Sequence, residues 1–109
     1  MKRTRRRYLA VETESPETFS SHEILDAVWA AVSKLFGEYG ASQAGLALID
    51  YDETNKLLVI RVGHEALDMV RASLASTTRI GNKPVALHVL AVSGTLKGLD
   101  RKLEEKRVA

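Results

Sequence analysis

The order of its apolar patterns constrains this chain more than any other feature of the sequence. Two kinds of pattern occur, short apolar runs typical of strands and spacings of three and four typical of helices. Their order is strand, helix, strand, strand, helix, strand, with an additional C-terminal helix. This βαββαβ order predicts an α+β protein of the ferredoxin-like (RRM-like) class, in which two helices pack on one face of an antiparallel sheet.

Turn and capping signals predict where these elements begin and end. Ser15-Pro16 marks a loop, and Ser20-Ser21-His22-Glu23 fits a capping box, in which the first and last side chains satisfy free backbone amides at a helix start. The polar stretch 52–56 predicts a hairpin loop, and Ile80-Gly81-Asn82-Lys83 predicts a turn. We expect strands at Arg6–Glu12, Leu46–Tyr51, Leu57–Val62 and Val85–Ser93, and the second and third helices at Glu65–Ser76 and from about Leu96.

The first helix carries a stripe of apolar side chains that predicts one buried face. We expect this face to lie against the sheet. Gly37 and Gly40, near the end of the helix, favour left-handed stops. The stripe consists of Leu25, Val28, Val32, Leu35 or Phe36, and Tyr39.

Apolar residues fill both alternating sets of positions in the later strands, whereas a sheet covered on one side should alternate more cleanly. The longest run, Val85–Ser93, is expected to form a central strand buried on both faces. The second face of the sheet then needs a cover. A stripe of the C-terminal helix, Leu96, Leu99 and Leu103, can supply it.

Composition limits the class of protein further. A chain of 109 residues that is 45% apolar has room for one core, so we expect a basic N-terminal arm at 1–7 and a single ferredoxin-like domain at 8–109. No apolar run spans a bilayer, and the arginine-rich start lacks the apolar segment of a secretory signal, so we expect a cytoplasmic protein. The chain has no cysteine, which excludes disulfides and thiolate chemistry.

The charges are distributed unevenly along the chain. Residues 1–7 carry five cations and no acid, residues 8–70 eleven acids against three cations, and residues 71–109 eight cations against three acids. Such basic ends favour a polyanion such as RNA. The alternatives are a solubilising tail and, in the last helix, a solvated mixed face that includes Glu104 and Glu105. The candidate RNA-binding residues are Lys2, Arg3, Arg5, Arg6, Arg7, Lys83, Lys97, Arg101 and Lys102, with Lys106 and Arg107 as an extension of the patch.

Side chains suited to catalysis or metal binding are scattered. His22, His64 and His88 share no motif with carboxylates, so they favour structural positions at a helix start, at a strand end and in the sheet. The acids at 50–53 fit a solvated turn better than a cation site. The third strand, 57–64, has no aromatic residue on which bases could stack, so we expect RNA to be bound through phosphates and shape. The sequence predicts neither a catalytic site nor a metal or cofactor bound by the protein.

Five short patterns resemble the archaeal ribonuclease P protein component 2 family, the Pop-five/Rpp-fourteen type. They occur in consistent order between about Arg5 and Leu103, and together they are fairly specific. The patterns are Arg6-Arg7-Tyr8-Leu9, Leu35-Phe36-Gly37-Glu38-Tyr39-Gly40, Ala44-Gly45-Leu46, Asn82-Lys83-Pro84-Val85 and Val92-Ser93-Gly94-Thr95-Leu96.

The resemblance implies a non-catalytic subunit of the ribonucleoprotein that removes the 5′ leader from precursor transfer RNA. It implies that the protein binds the catalytic domain of the ribonuclease P RNA, and that the magnesium used in hydrolysis is required by the RNA. It also implies a protein partner, the TIM-barrel protein component 3 of the Rpp-thirty type. Similar proteins form a two-plus-two heterotetramer around a homodimer, and we expect the same assembly here.

Two other functions fit the residues. A ferredoxin-like protein-interaction or regulatory module without RNA would bind a partner by a sheet edge or a helix, and deletion of residues 2–7 would not affect that binding. A small enzyme working through an acid and a histidine would lose its activity when His22, His64 or His88 was changed to alanine. The enzyme is the least favoured of the three functions.

Overall fold

The computed structural model describes residues 5 to 108, with side chains up to residue 106. A turn of 3-10 helix at His64–Ala66 leads into the second of three helices. None of the helices described is long and apolar enough to cross a membrane. The elements are β1 (Arg6–Glu14), α1 (Ser21–Gln43), β2 (Ala47–Asp52), β3 (Leu57–Gly63), α2 (Leu67–Ser76), β4 (Arg79–Ile80), β5 (Lys83–Pro84), β6 (Ala86–Ser93) and α3 (Leu96–Val108).

Four strands form an antiparallel sheet in the order β2-β3-β1-β6. This is the ferredoxin-like arrangement that the βαββαβ order predicts, and the prediction is confirmed. β1 lies in the middle, where its residue Leu9 pairs with Ile60 of β3 and with Val92 of β6. α1 and α2 cover one face of the sheet, and α3 packs on the other.

The position predicted for β6 is wrong, because β6 is an edge strand that pairs with β1 alone. Its long apolar run has another cause. Leu87, Val89 and Val92 pack into the core that includes α2, whereas Leu90 and Ala91 pack beneath α3 on the opposite face. The faces are exchanged at Leu90, where β6 has one extra residue relative to β1. A strand covered on both faces needs apolar residues at both alternating sets of positions, whether or not a neighbouring strand lies on each side.

α1 begins at the predicted capping box. The Ser20 hydroxyl accepts a hydrogen bond from the Glu23 amide at 3.1 Å, and the Glu23 carboxylate accepts one from the Ser20 amide at 3.1 Å. The helix is interrupted at Gly37, whose φ of 80° and ψ of 167° belong to a region open almost only to glycine, and it then continues to Gln43. Gly40 lies within this second segment, so the stop predicted there is wrong.

The apolar stripe predicted for α1 holds for the first half of the helix only. Val28 and Val32 are fully buried, but Leu25 is only partly buried, and its neighbour Ile24, which was not predicted, is fully buried. The later members are exposed, Leu35 to 49%, Phe36 to 43% and Tyr39 to 79%. Contact with the core resumes at Ala41, after the chain has changed direction at Gly37. A stripe of constant spacing assumes an uninterrupted helix, so the break at Gly37 explains why the prediction fails at Tyr39. Leu35 and Phe36 precede the break, and their spacing shows a common face of the helix without showing that the core extends that far.

α3 supplies the cover predicted for the second face, but only in part. Leu99 is 1% exposed and packs on Ala10 and Ala91. Leu103 is partly buried, while Leu96 is 43% exposed. Because α3 lies over β6 and β1, side chains of β3 and β2 on this face stay partly exposed.

The predicted turn after α2 is a small hairpin, in which Arg79 of β4 pairs with Pro84 of β5. Gly81 has a φ of 64° at the turn, a conformation that glycine adopts without steric cost. The turn prediction is therefore confirmed.

Candidate nucleic-acid interface

β1 carries opposite charges at its two ends. Arg6 and Arg7 begin the strand, and Glu12 and Glu14 lie near its end. A strand of nine residues is about 30 Å long, well beyond the screening length of about 8 Å at physiological salt. One end of the sheet is therefore basic and the other acidic.

The sheet register brings further groups to the end where β1 begins. Arg6 pairs with Gly63 at the end of β3, and Tyr8 pairs with Ser93 at the end of β6. The amide of His64 donates a hydrogen bond to the carbonyl oxygen of Arg5 at 2.8 Å, which holds Arg5 beside the strand. We call this surface the basic end; its cations are Arg5, Arg6, Arg7, Arg61 and Lys97.

Arg7 lies against the exit from β6. Its Nη1 donates a hydrogen bond to the carbonyl oxygen of Arg6 at 3.1 Å. A Cβ atom added at Gly94 would lie 3.4 Å from the same nitrogen, so glycine at this position leaves room for the guanidinium. Gly94 lies two residues before α3, whose first turn carries the exposed Lys97. Cations from the two termini of the chain thus lie at one end of the sheet.

Arg61 belongs to the basic end, although the sequence analysis did not select it. It pairs with Tyr8 of β1 and with Ala47 of β2. The even-numbered apolar residues of β3 alternate with it and are fully buried, whereas Arg61 is partly exposed. The period of two along β3 was the available signal, since a cation in the set opposite to the buried one must face outward.

Two candidate lysines of α3, Lys102 and Lys106, make contacts within the fold. Lys102 Nζ donates a hydrogen bond to the carbonyl oxygen of Val92 at 2.5 Å, and Lys106 Nζ donates one to that of Leu90. Both carbonyl groups belong to β6, an edge strand. The two lysines therefore shield an unpaired edge of the sheet. Arg101, on the same helix, is exposed and makes no hydrogen bond or ion pair with the described part of the chain.

Lys83 lies at the acidic end, away from the other candidates. It belongs to β5, shortly before β6 begins, and its Nζ is 5.7 Å from the centre of the Phe19 ring. The pKa of Glu23 lies below its ordinary value because the amide and hydroxyl of Ser20 bond to its carboxylate, and Lys83 lowers it further. Lys83 thus has local partners that are unrelated to the basic end.

Two candidates from the predicted arm, Lys2 and Arg3, lie outside the described residues. Arg6 and Arg7, which the sequence analysis grouped with the arm, belong to β1. Their backbone pairs with β3, and the next residue, Tyr8, pairs with both neighbouring strands, so these cations are presented by a rigid element.

The histidines occupy the structural positions expected from the sequence, at a helix start, after a strand and in the sheet. His88 Nε2 lies 2.6 Å from Oε2 of Glu14, and His22 Nε2 lies 3.1 Å from Oδ2 of Asp26. Burial raises the pKa of Tyr51, whose hydroxyl donates a hydrogen bond to the Phe19 carbonyl at 2.8 Å. Within residues 5–106, no three histidine, aspartate or glutamate side chains lie close enough together to hold a metal ion.

A second exposed surface is apolar and lies on α1 and β2, two elements in contact with each other. Trp29 of α1 is 44% exposed, and Leu48 and Ile49 of β2 are each 36% exposed. Leu35, Phe36 and Tyr39, later on α1, are exposed as well. Several large apolar side chains exposed on adjoining elements favour a contact with another protein. We call this the apolar surface; it consists of Trp29, Leu35, Phe36, Tyr39, Leu48 and Ile49.

The fold and the basic end define the class of protein, a small ferredoxin-like domain suited to binding a polyanion with one end of its sheet. The model of the Rpp14/Pop5 family matches residues 7–104. This chain belongs to the Rpp14/Pop5 family, and the resemblance seen in five short sequence patterns is confirmed.

Relatives and a solved structure agree with this assignment. Ribonuclease P protein component 2 of Methanosarcina mazei is 38% identical over 95 residues, which are 87% of this chain and 80% of the relative. The protein of the same name from Pyrococcus furiosus is 36% identical over 100 residues, 92% of this chain and 83% of the relative. A chain in the cryo-EM structure of yeast ribonuclease MRP aligns with a TM-score of 0.69 at 16% identity, covering 98% of this chain and 95% of that one. At this identity the structural likeness concerns the fold alone.

Proposed function

We propose that this chain is a protein subunit of ribonuclease P that binds the RNA of that enzyme with its basic end. The observation that carries the proposal is that five cations, Arg5 and those of β1, β3 and α3, lie at one end of the sheet, with acids at the other. Membership of the Rpp14/Pop5 family and the component 2 relatives support the identity of the complex. The part of the RNA that the chain binds is its catalytic domain. The complex works in the cytoplasm.

In this proposal the protein acts by electrostatics and contributes no catalytic side chain. Folding of the RNA brings phosphates together, and magnesium ions must offset their repulsion. Arginine side chains held on a strand offset part of that repulsion, because each guanidinium donates charge-assisted hydrogen bonds to phosphate oxygens. The RNA then removes the 5′ leader from precursor transfer RNA by metal-assisted hydrolysis, and the magnesium is bound by the RNA.

The apolar surface is proposed to bind protein partners. It lies on α1 and β2, whereas the cations of the basic end come from β1, β3 and α3, so both kinds of partner can bind together. The partner is the TIM-barrel protein component 3 of the Rpp-thirty type. We further propose a homodimer of this chain within a two-plus-two heterotetramer.

The test is reconstitution of the complete complex, with its cleavage of precursor transfer RNA measured against magnesium concentration. The wild-type chain should lower the magnesium required, and Arg6→Gln/Arg61→Gln should return the requirement toward that of the complex lacking this chain. Arg79→Gln is the matched control, because it removes an exposed cation from the β4–β5 hairpin, where Arg79 Nη1 donates only a 3.4 Å hydrogen bond to the Asn82 carbonyl. An unchanged magnesium requirement with and without the chain would contradict the proposed mechanism.

A further inference from the structure

Tyr8, Arg6 and Arg61 share the face of the sheet on which α3 packs. Along β1, Leu9 and Val11 belong to the core beneath α1 and α2, whereas Ala10 lies beneath α3. Because successive side chains of a strand point to opposite faces, Tyr8 and Arg6 lie on the side of Ala10. Arg61 pairs with Tyr8 directly across β3, so it lies on that side as well.

Tyr8 and Arg61 belong to one row of side chains that crosses all four strands. The row is Ser93 of β6, Tyr8, Arg61 and Ala47 of β2. Neighbours in such a row have Cβ atoms about 5 Å apart. Ser93 and Ala47 are small, so the aromatic ring and the guanidinium project beyond both flanks. Arg6 lies two residues before Tyr8 on β1 and therefore on the same face, and it pairs with Gly63, which has no side chain.

Tyr8 packs against the cluster of Ala10, Ala91 and Leu99 beneath α3, but the side chains of Tyr8 and Arg61 have no polar partner in the described part of the chain. Tyr51 donates its hydroxyl to the Phe19 carbonyl, but the hydroxyl of Tyr8 makes no hydrogen bond with residues 5–106, and the ring is partly exposed. Arg61 and Arg6 have no carboxylate within 4.0 Å among the same residues. α3 lies over β6 and β1, which leaves Arg61 and Ala47 partly exposed beside it.

We propose that Tyr8 and Arg61 form a subsite for one nucleotide of a single-stranded RNA segment. The base stacks on the ring of Tyr8, and Arg6 and Arg61 bind the phosphates on either side of it. Two unpaired guanidinium groups beside the ring favour a polyanion over a protein segment at this position. The inference rests on the proposed RNA-binding function and adds base contact, which the lack of aromatic residues on β3 argued against.

The experiment measures binding of the full chain to a fluorescent oligouridine and to an abasic chain of the same length, by anisotropy at low salt. Both probes carry the same phosphates, so a difference between them reports contact with bases. Wild type should bind the oligouridine roughly tenfold more tightly than the abasic chain, as expected for stacking on one aromatic ring. Tyr8→Leu, which keeps an apolar side chain against α3, should remove this preference, and Tyr8→Phe should keep it.

Two further variants separate the roles. Arg61→Gln should weaken the binding of both probes by the same factor, because it removes a phosphate contact. His22→Leu is the matched control, because it removes an aromatic ring that is 84% exposed at the start of α1, and it should leave the preference unchanged. Equal binding of the two probes to wild type, or a preference that persists in Tyr8→Leu, would overturn the subsite. Binding of ribonuclease P RNA is measured in parallel, since its loss would refute the proposed function itself, whereas its retention would limit the failure to the subsite.

Discussion

Lys102 Nζ lies 2.5 Å from the carbonyl oxygen of Val92, so a cation of α3 is bound to the backbone of the edge strand β6. Lys106 makes the same kind of contact with Leu90, two residues earlier on that strand. β6 pairs with β1 alone, so both lysines bond to the backbone of an edge strand. Lys102 and Lys106 therefore differ in role from Lys97 and from the arginines of β1.

Replacing both lysines should expose the edge of β6. We expect Lys102→Met/Lys106→Met to self-associate, because an apolar edge strand with free carbonyl groups pairs with other chains. Light scattering with size-exclusion chromatography measures this. Arg101→Met, a change of the same type on the same helix, should stay as monodisperse as wild type, and an equal degree of association in both variants would rule out edge protection.

Leu99 should contribute more to stability than any other described residue of α3. Leu99→Ala removes a fully buried side chain between the helix and Ala10 and Ala91, and we expect a loss of about 2–4 kcal/mol in the free energy of unfolding. Leu96→Ala, at a position 43% exposed, should cost under about 1 kcal/mol. Urea unfolding measures the free energy of unfolding of both variants. Equal losses in the two variants would contradict the packing described for α3.

Gly37→Ala should destabilise the chain through its backbone alone. No atom lies within 4 Å of a Cβ placed at Gly37, so the expected loss of about 1–3 kcal/mol comes from the φ of 80°. Lys34→Ala, at an exposed helical position, should have little effect on the unfolding free energy. A variant as stable as wild type would mean that α1 is not interrupted at Gly37.

The capping box predicts a dependence of stability on pH. The folded pKa of Glu23 lies below its ordinary value of 4.5, chiefly because the Ser20 amide bonds to the carboxylate. The ionised side chain therefore stabilises the fold above that value, and the contribution is lost as the pH falls through the lower folded pKa. Wild type should exceed Glu23→Gln in urea midpoint at about pH 7, and the difference should vanish at about pH 2. A difference independent of pH would show that the charge has no part in the cap.

The sequence predicted those parts of the fold that depend on local physics. The capping box of Ser20 and Glu23, the turn at Gly81 and the order of the elements each follow from a few neighbouring residues, and all are confirmed. The place of β6 in the sheet depended on non-local pairing. An apolar run indicates that both faces of a strand are covered, but it does not indicate how many strands pair with that strand.

The candidate site was only partly predictable for the same reason. A count of charges selects Arg6 and Lys102 alike, yet one projects from the start of a strand and the other bonds to the edge of the sheet. Arg61 was missed because a single cation in an apolar strand does not alter the charge of its segment. Its position beside Tyr8 depends on the register between β1 and β3, which no local pattern encodes.

The most direct test of the central claim is the affinity of this chain for ribonuclease P RNA as a function of salt concentration. Each arginine that contacts a phosphate adds about one unit to the slope of log affinity against log salt. The account predicts a slope smaller by about two units in Arg6→Gln/Arg61→Gln and an unchanged slope in Arg79→Gln. An unchanged slope in the double variant, or an equal loss in Arg79→Gln, would contradict RNA binding by the basic end.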